Sequence, residues 1–189
     1  MMKRGECFQA LASHIEEEDI VVAVYSSAFD WIAIRPHPLN YIAVGAMGLA
    51  TSHALGLALG RPDKRVIVLD GDGSLLMNLG GLVTVAEAAP ANFVHLVAEN
   101  GAYEANGGHP IPGRDRISFA GLASAAGYRG SYEFSDLNKF KKGLGELLVK
   151  EGPIFVDLKV ESGGPQVRDY GHMHGKRTRD EFRAALNKR

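Results

Sequence analysis

Val66-Ile67-Val68-Leu69-Asp70-Gly71-Asp72-Gly73-Ser74, followed after residues 75–99 by Asn100-Gly101-Ala102-Tyr103, decides how this chain is read. The apolar run 66–69 has the β-branched content of a buried strand, which ends near Asp70. A helix over 80–89 and a second strand over 93–98 complete one βαβ unit. Parallel strands present their C-terminal ends on the same edge of a sheet, so Asp72 and Asn100 leave neighbouring strands side by side. Such a pair suits a hard cation. Mg²⁺ takes six oxygens in near-octahedral geometry, few of them from protein and the rest from phosphates and water. Asp72 offers a carboxylate, Asn100 an amide oxygen, and the turn after it a backbone carbonyl at Ala102; these three are the predicted metal ligands. Gly71 and Gly73 leave room for phosphate oxygens to approach the backbone, where helix-start amides and the Ser74 hydroxyl can donate to them.

Each part alone is ordinary. Gly-Asp-Gly and Asn-Gly both read as plain turns. A nicotinamide-type fingerprint fails, because its third glycine would fall at Leu76, and no phosphate-binding P-loop is present. The information lies in the combination.

Composition narrows the class. The chain has 189 residues, 46% of them hydrophobic, enough for one α/β core and too few for two sizeable ones. The 21 basic and 22 acidic residues give a formal net charge of −1, which carries no electrostatic footprint for nucleic acid or an acidic membrane surface. One cysteine, Cys7, cannot form an internal disulfide, and neither a secretory apolar region nor a long apolar span occurs. A cytoplasmic location is expected.

Outward from the motif, Phe8, Leu11, Ala12 and Ile15 recur at helical spacing, and 20–25 reads as a buried strand. A short helix over 26–34 ends at the turn Arg35-Pro36-His37-Pro38. The small, apolar segment 48–59 predicts a helix packed closely on the sheet. Ser118 caps a helix reaching 126, Ser135 caps another reaching about 150, and a strand at 154–160 follows. Thr178-Arg179-Asp180-Glu181 has capping-box spacing and opens a last helix with Phe182, Ala185 and Leu186. Alternating strand and helix predict a doubly wound, mostly parallel α/β sheet with helices on both faces, in one domain over 1–189. The glycine-rich stretch 161–177 reads as a flexible arm. Its His172 and His174 lack a third ligand at metal-binding spacing and read as a solvated loop, with a lid over a neighbouring site as the functional alternative. Glu16, Glu17 and Glu18 read as a solvated face.

Gly71-Asp72-Gly73 followed by Asn100 resembles the diphosphate motif of thiamine diphosphate (ThDP) enzymes, GDG and then a pair of asparagines. Glu99 stands at the first of that pair, and the second, matched by Asn100, is the metal ligand. Gly45-Ala46-Met47-Gly48-Leu49-Ala50 resembles the segment beneath the cofactor's aminopyrimidine, where Met47 by match holds the cofactor bent. There the Gly45 carbonyl and the Met47 amide would bond the pyrimidine edge. The resemblance thus implies cofactor-binding roles for Gly45, Ala46, Met47, Gly71, Asp72, Gly73, Ser74, Asn100, Ala102 and Tyr103. Within the family the chain resembles the short subunits of sulfopyruvate decarboxylase and the matching half of phosphonopyruvate decarboxylase, over 48–52, 70–80 and 101–110. It departs from them at Ser26-Ser27-Ala28-Phe29-Asp30-Trp31, where those relatives carry Ser-Arg-Glu-Leu. That departure argues against an anionic-tailed substrate.

What the resemblance implies is the ThDP-binding fold, ThDP and Mg²⁺ as cofactors, and decarboxylation of a small 2-oxo acid, the thiazolium serving as nucleophile and electron sink. An acetolactate synthase-like carboligase subunit and a non-catalytic cofactor-binding module are the alternatives. The glutamate that activates the cofactor belongs to the pyrimidine-binding domain type, whose motifs are not found here. A partner subunit in a hetero-oligomer must therefore supply it. For catalytic contact with substrate the candidate is His109, in the glycine-rich loop after the metal-binding turn. His53 reads as a packed helix residue, and Glu104 as a contact to cofactor, partner or solvent.

Overall fold

The computed structural model describes residues 1–42, 47–164 and 168–188. Six parallel strands form one sheet: β1 (Ile20–Ala23), β2 (Asn40–Ile42), β3 (Val66–Gly71), β4 (Phe93–Glu99), β7 (Gly130–Phe134) and β8 (Ile154–Lys159), in the order β2-β1-β3-β4-β8-β7. A two-residue antiparallel hairpin, β5 (Ala102–Tyr103) with β6 (His109–Pro110), stands apart, joined by a 3-10 turn at Glu104–Asn106. The helices are α1 (Arg4–Ala12), α2 (Tyr25–Ile34), α3 (Ala50–Gly60), α4 (Asp72–Leu76), α5 (Gly80–Ala88), α6 (Phe119–Ala126), α7 (Leu137–Val149), α8 (Tyr170–His174) and α9 (Lys176–Leu186).

Side chains alternate between the two faces of the strands, and the burial follows that period. Val21 and Ala23, Ile67 and Leu69, and Val94 and Leu96 pack with α1, α2 and α7 on one side. Ile20 and Val22, Val66 and Val68, and Phe93 and Val97 pack with α3, α5, α6 and α9 on the other. A sheet covered on both faces reads as continuous apolar runs, which is why 20–24 and 66–69 carry no polar alternation. This is the doubly wound architecture expected.

Strand order fixes where a ligand can sit. From β1 the chain crosses to β2 on one side and later to β3 on the other, so a crevice opens beyond the C-terminal ends of β1 and β3. In register, Val22 pairs with Val68 and Leu69 with Leu96, so β1, β3 and β4 end nearly level. Residues 24–27, 71–74 and 100–103 follow these three ends.

Several boundaries differ from expectation. The seventh helix is capped by Asp136, whose carboxylate accepts from the Lys139 amide at 2.9 Å, and not by Ser135. An aspartate carboxylate is the stronger acceptor, and the strand preceding it ends at Phe134. Ser118 caps α6 as expected, accepting from Gly121 at 3.0 Å. The last helix opens at Lys176 after Gly175, so Thr178 lies inside it and the capping-box reading is wrong. The segment read as a flexible arm is partly folded: α8 buries Met173 in the core on the α1 and α2 side. Residues 165–167 lie outside the described residues. Two strands of the main sheet, β2 and β7, were not expected, nor was the β5–β6 hairpin. Strand β2 is three residues long, and β7 is a half-buried edge strand opening with glycine. Phe182 of α9 packs edge-on against Tyr41 of β2 at 5.3 Å, which covers this open edge of the sheet.

Trp31 ties the cleft-forming helix to the sheet. It is fully buried, meets Phe8 edge-on at 6.2 Å, and donates from Nε1 to Asn40 Oδ1 at 2.8 Å. Asn40 in turn donates to the Arg35 carbonyl at 2.7 Å, closing the turn after α2. Replacing Trp31 by Ala removes the largest buried side chain and orphans the Asn40 oxygen. A loss of about 3–5 kcal/mol in unfolding free energy is expected from denaturant titration.

Candidate functional site

A cleft lies at the predicted place, walled by Val24–Ser27 after β1, by 71–74 after β3, and by Asn100 and Ala102–Tyr103 after β4. Asp72 is its centre. Its carboxylate is buried and accepts from two backbone amides, Gly73 at 2.7 Å through Oδ1 and Gly101 at 2.6 Å through Oδ2. The second bond crosses from the tip of β3 to the turn beyond β4, so this side chain ties the two strand ends together. No cationic side chain pairs with it among the described residues. Burial pushes its carboxyl up to about 6, the Gly101 and Gly73 amides pull against that, and the charge of Glu99 adds to the rise.

Asn100 is buried beside it, with Oδ1 accepting from the Ala102 amide at 2.8 Å. That bond takes one lone pair of the amide oxygen and leaves the other. Ala102 begins the β5–β6 hairpin and lines the cleft. Asp72, Asn100 and Ala102 therefore converge as expected. All three offer hard oxygens, the donor set that suits Mg²⁺. The backbone of Gly71 faces open space, where a Cβ would meet nothing within 4 Å, leaving room for a phosphate group. A buried, unneutralised carboxylate beside a second oxygen donor and an open backbone is what a metal-bound diphosphate requires.

Gly73 is required by contact rather than by φ. A Cβ there would lie 2.6 Å from Tyr103 Cδ1, because the Tyr103 ring lies directly over this backbone. Ser74 is buried and lines the cleft, but its Oγ also accepts from the Gly48 amide at 3.1 Å, and Asn78 Nδ2 donates to the Gly48 carbonyl at 2.9 Å. Gly48 takes φ +80° at this pinch. These bonds clamp the turn after Met47 onto α4. Met47 lines the cleft, with Asn106 Nδ2 3.7 Å from its sulfur. Gly45 and Ala46 lie outside the described residues.

His109, the predicted substrate contact, sits exposed on β6 and is not among the residues that line the cleft. His53 is half-buried on α3 against the Tyr41 ring at 5.3 Å, a packed position as expected. Glu104 is half-buried and lines the cleft, where it pairs with Arg4 at 2.6 Å and accepts from the Gly163 amide. Burial works to raise its carboxyl, but Arg4, Ser26 and Gly163 outweigh burial and hold it below the ordinary range.

Sequence reasoning missed the wall contributed by Arg4 and by Val24, Tyr25, Ser26 and Ser27. The second group follows from topology, since it leaves β1 at the point where the winding reverses. Arg4 is buried and bridges Asp30 and Glu104, both at 2.6 Å, a contact one hundred residues long in sequence that no local pattern signals.

Fold and cleft together define a domain that binds a diphosphate cofactor across parallel strand ends. Comparison with known proteins agrees. Residues 22–158 match the family described as thiamine pyrophosphate enzyme, C-terminal TPP binding domain, and the chain belongs to that family. It is 34% identical over 167 residues to the sulfopyruvate decarboxylase subunit beta of Methanothermobacter thermautotrophicus, covering 88% of this chain and 86% of that one. It is 40% identical over 153 residues to the phosphonopyruvate decarboxylase of Streptomyces viridochromogenes, covering 81% of this chain and 38% of that enzyme. Among solved structures, the thiamine diphosphate-dependent 4-hydroxybenzoylformate decarboxylase of Rhodococcus jostii superposes with a TM-score of 0.74 at 22% identity, over 85% of this chain and 33% of that one. This last likeness establishes the fold. No helix among the described residues is long and apolar enough to cross a membrane.

The Gly73–Tyr103 contact yields a test. Gly73→Ala should destabilise the chain by about 1–3 kcal/mol, since the ring must leave its place. Adding Tyr103→Ala should recover most of that loss. Thermal melts of both variants give the comparison, and equal melting points for the wild type and Gly73→Ala would contradict the packing.

Proposed function

We propose that the chain is the diphosphate-binding subunit of a ThDP- and Mg²⁺-dependent decarboxylase of a small 2-oxo acid. The observation that carries this reading is the pairing of Asp72 and Asn100 oxygens on adjacent strand tips beside the open backbone of Gly71. When bound, ThDP supplies a nucleophilic thiazolium carbon and an electron sink for the pair released as carbon dioxide leaves. Asp72, Asn100 and the Ala102 carbonyl hold the metal, Ser74 and the amides at the start of α4 receive the diphosphate, and Met47 supports the cofactor's bend. The names of the two relatives above, both decarboxylases, support the reaction class.

The substrate reading rests on charge. Arg4 is the one basic side chain among the described residues lining the cleft, and it is already held between Asp30 and Glu104. Among the described residues that line the cleft, no unpaired cation is left to grip a second anionic group, which favours a 2-oxo acid with an uncharged tail. His109 stays the candidate for substrate contact, reached through the partner's side of the cleft.

A partner carrying the pyrimidine-binding domain type completes the site and supplies the activating glutamate. The name of the beta-subunit relative supports such an assembly. So does the outer face of α3, α5 and α6, where the exposed helical positions include Gly56, Leu59, Val83 and Leu122 and carry Glu87 as their single charge. Exposed positions of α7, by contrast, include Lys139, Lys141, Lys142 and Glu146. A face of small residues with a single charge, on an otherwise charged surface, supports an interface there.

Two experiments address the reading. Asp72→Ala should keep the fold by circular dichroism and lose metal-dependent ThDP binding at least 100-fold by calorimetry, while the chain without its partner shows no carbon dioxide release from a panel of 2-oxo acids. Affinity retained in Asp72→Ala would overturn the metal assignment. The second is pH. A carboxyl raised to about 6 favours the metal-free fold while protonated, and that contribution is lost as pH rises from about 4 through 6; a bound cation demands the ionised form. Magnesium affinity should therefore be level above about pH 7 and fall about tenfold per unit below 6, as read by magnesium titrations from pH 5 to 8.

A further inference from the structure

Glu99 stands where the family motif has a neutral asparagine, and the structure places it in a cluster outside the cleft. Glu99 and Lys159 are register partners on β4 and β8. The Lys159 ammonium lies 2.5 Å from Glu99 Oε2, 3.0 Å from Asp157 Oδ2 and 3.2 Å from Glu133 Oε2. Asp157 is wholly buried, the Glu99 side chain is 11% exposed, and Lys159 is the one cationic side chain reaching either among the described residues. Burial first, and then Glu99, pushes the Asp157 carboxyl up, so the pair carries its negative charge chiefly on Glu99, beside the Lys159 ammonium.

This cluster adjoins Asn100. The backbone at Glu99 is fixed to β8 by the Val160 amide, which donates to the Glu99 carbonyl at 2.9 Å. On the other side, the Gly101 amide is held by Asp72. Asn100 thus hangs between two anchors, and the one on the β8 side carries three carboxylates against one ammonium. A buried carboxylate charge without a counter-ion is costly, and a second acid beside it adds to the cost. Without the ammonium, the Glu99 charge would be left nearly buried with no cation beside it among the described residues, and the residue attached to Glu99 is the proposed metal ligand.

We infer that Lys159 is a positioning residue for the metal site: by neutralising the Glu99–Asp157 pair it fixes the strand tip from which Asn100 projects. The inference rests on the reading of Asn100 as a metal ligand. It predicts that lysine is needed only while the acid stands at position 99. Lys159 touches none of the residues that line the cleft's metal end, so its effect passes through Glu99.

The test is a magnesium titration at saturating ThDP, followed by calorimetry, on the complex of this chain with its partner subunit. Lys159→Met should raise the magnesium concentration for half-saturation at least tenfold. Lys159→Arg should stay within threefold of wild type, and Glu99→Gln combined with Lys159→Met should return to within threefold. Should Lys159→Met not fold, the double variant carries the comparison alone: near-wild-type binding supports the inference, and binding weakened tenfold or more overturns it. An unchanged magnesium midpoint in Lys159→Met, with or without a lowered melting temperature, would show a merely structural lysine and overturn the inference, leaving the proposed function standing. Absence of metal-dependent binding in the wild-type complex would overturn the proposed function and this inference together.

Discussion

A single buried carboxylate organises the functional edge of this protein. Asp72 spends one oxygen on its own helix start and the other on the amide of Gly101, so the ends of β3 and β4 are tied through a charge that no side-chain cation among the described residues neutralises. Backbone amides stabilise such a charge only in part, and burial costs more than two amides return, which is why its carboxyl is pushed up to about 6. A fold does not need this arrangement for stability. A neutral residue in the same place would cost less, so the arrangement makes sense when a cation completes it. The metal reading thus comes from energetics as well as from motif.

Around that centre, the bonds that matter connect segments far apart in the chain. Ser74 and Asn78 grip Gly48 and so place Met47 at the cleft. Arg4 joins α1 to Asp30 on α2 and to Glu104 in the loop beyond the metal turn. Lys159 balances the acids behind Asn100. Each lies at the C-terminal edge of the sheet, where loops are positioned by rigid strands. The interior beneath is apolar apart from a few groups such as Asp70 and His95, which face each other at 3.4 Å.

How much of this the sequence made legible depended on locality. The strands 66–69 and 93–98 were readable because parallel strands buried on both faces leave unbroken apolar runs, and their pairing followed from the βαβ spacing. The Ser118 cap was readable because its partner is three residues away. Ser135 and Thr178 misled because a serine or threonine near a helix start is only one competitor for the cap, and Asp136 and Gly175 hold those places. Strand β7 escaped because an edge strand with half-buried residues gives no period-two signal. In the cleft, Asp72, Asn100, Ala102, Gly71, Gly73, Ser74 and Tyr103 were legible from one motif and its resemblance, and Met47 from the matched segment 45–50. Arg4 was not, since its partners lie 26 and 100 residues away. Nor was the role of Glu99, which reads as a lost asparagine until the register with Lys159 is known.

The exit from β1 shows how topology and chemistry meet. Among the described residues only Tyr25 and Ala89 adopt positive φ without being glycine. Ala89 does so at the C-terminal cap of α5, a place where the left-handed conformation ends a helix routinely. Tyr25 does so at the opposite end, on entering α2, with φ +43° in the wall of the cleft. A bulky residue there costs on the order of 1–2 kcal/mol. The chain must turn sharply at this point, because β1 ends level with β3 and the next residues have to pack back across the sheet. Trp31 and its bond to Asn40 hold α2 in the position that demands the turn, and the Ser27 hydroxyl donates to the Asp70 carbonyl at 3.3 Å, tying the same turn to the motif strand. Glycine would relieve the strain but would give up the packing of the Tyr25 side chain against the core. The strain is sustained by packing: Tyr25 is partly buried against the apolar core on the α3 side of the sheet, while the residue borders the cleft.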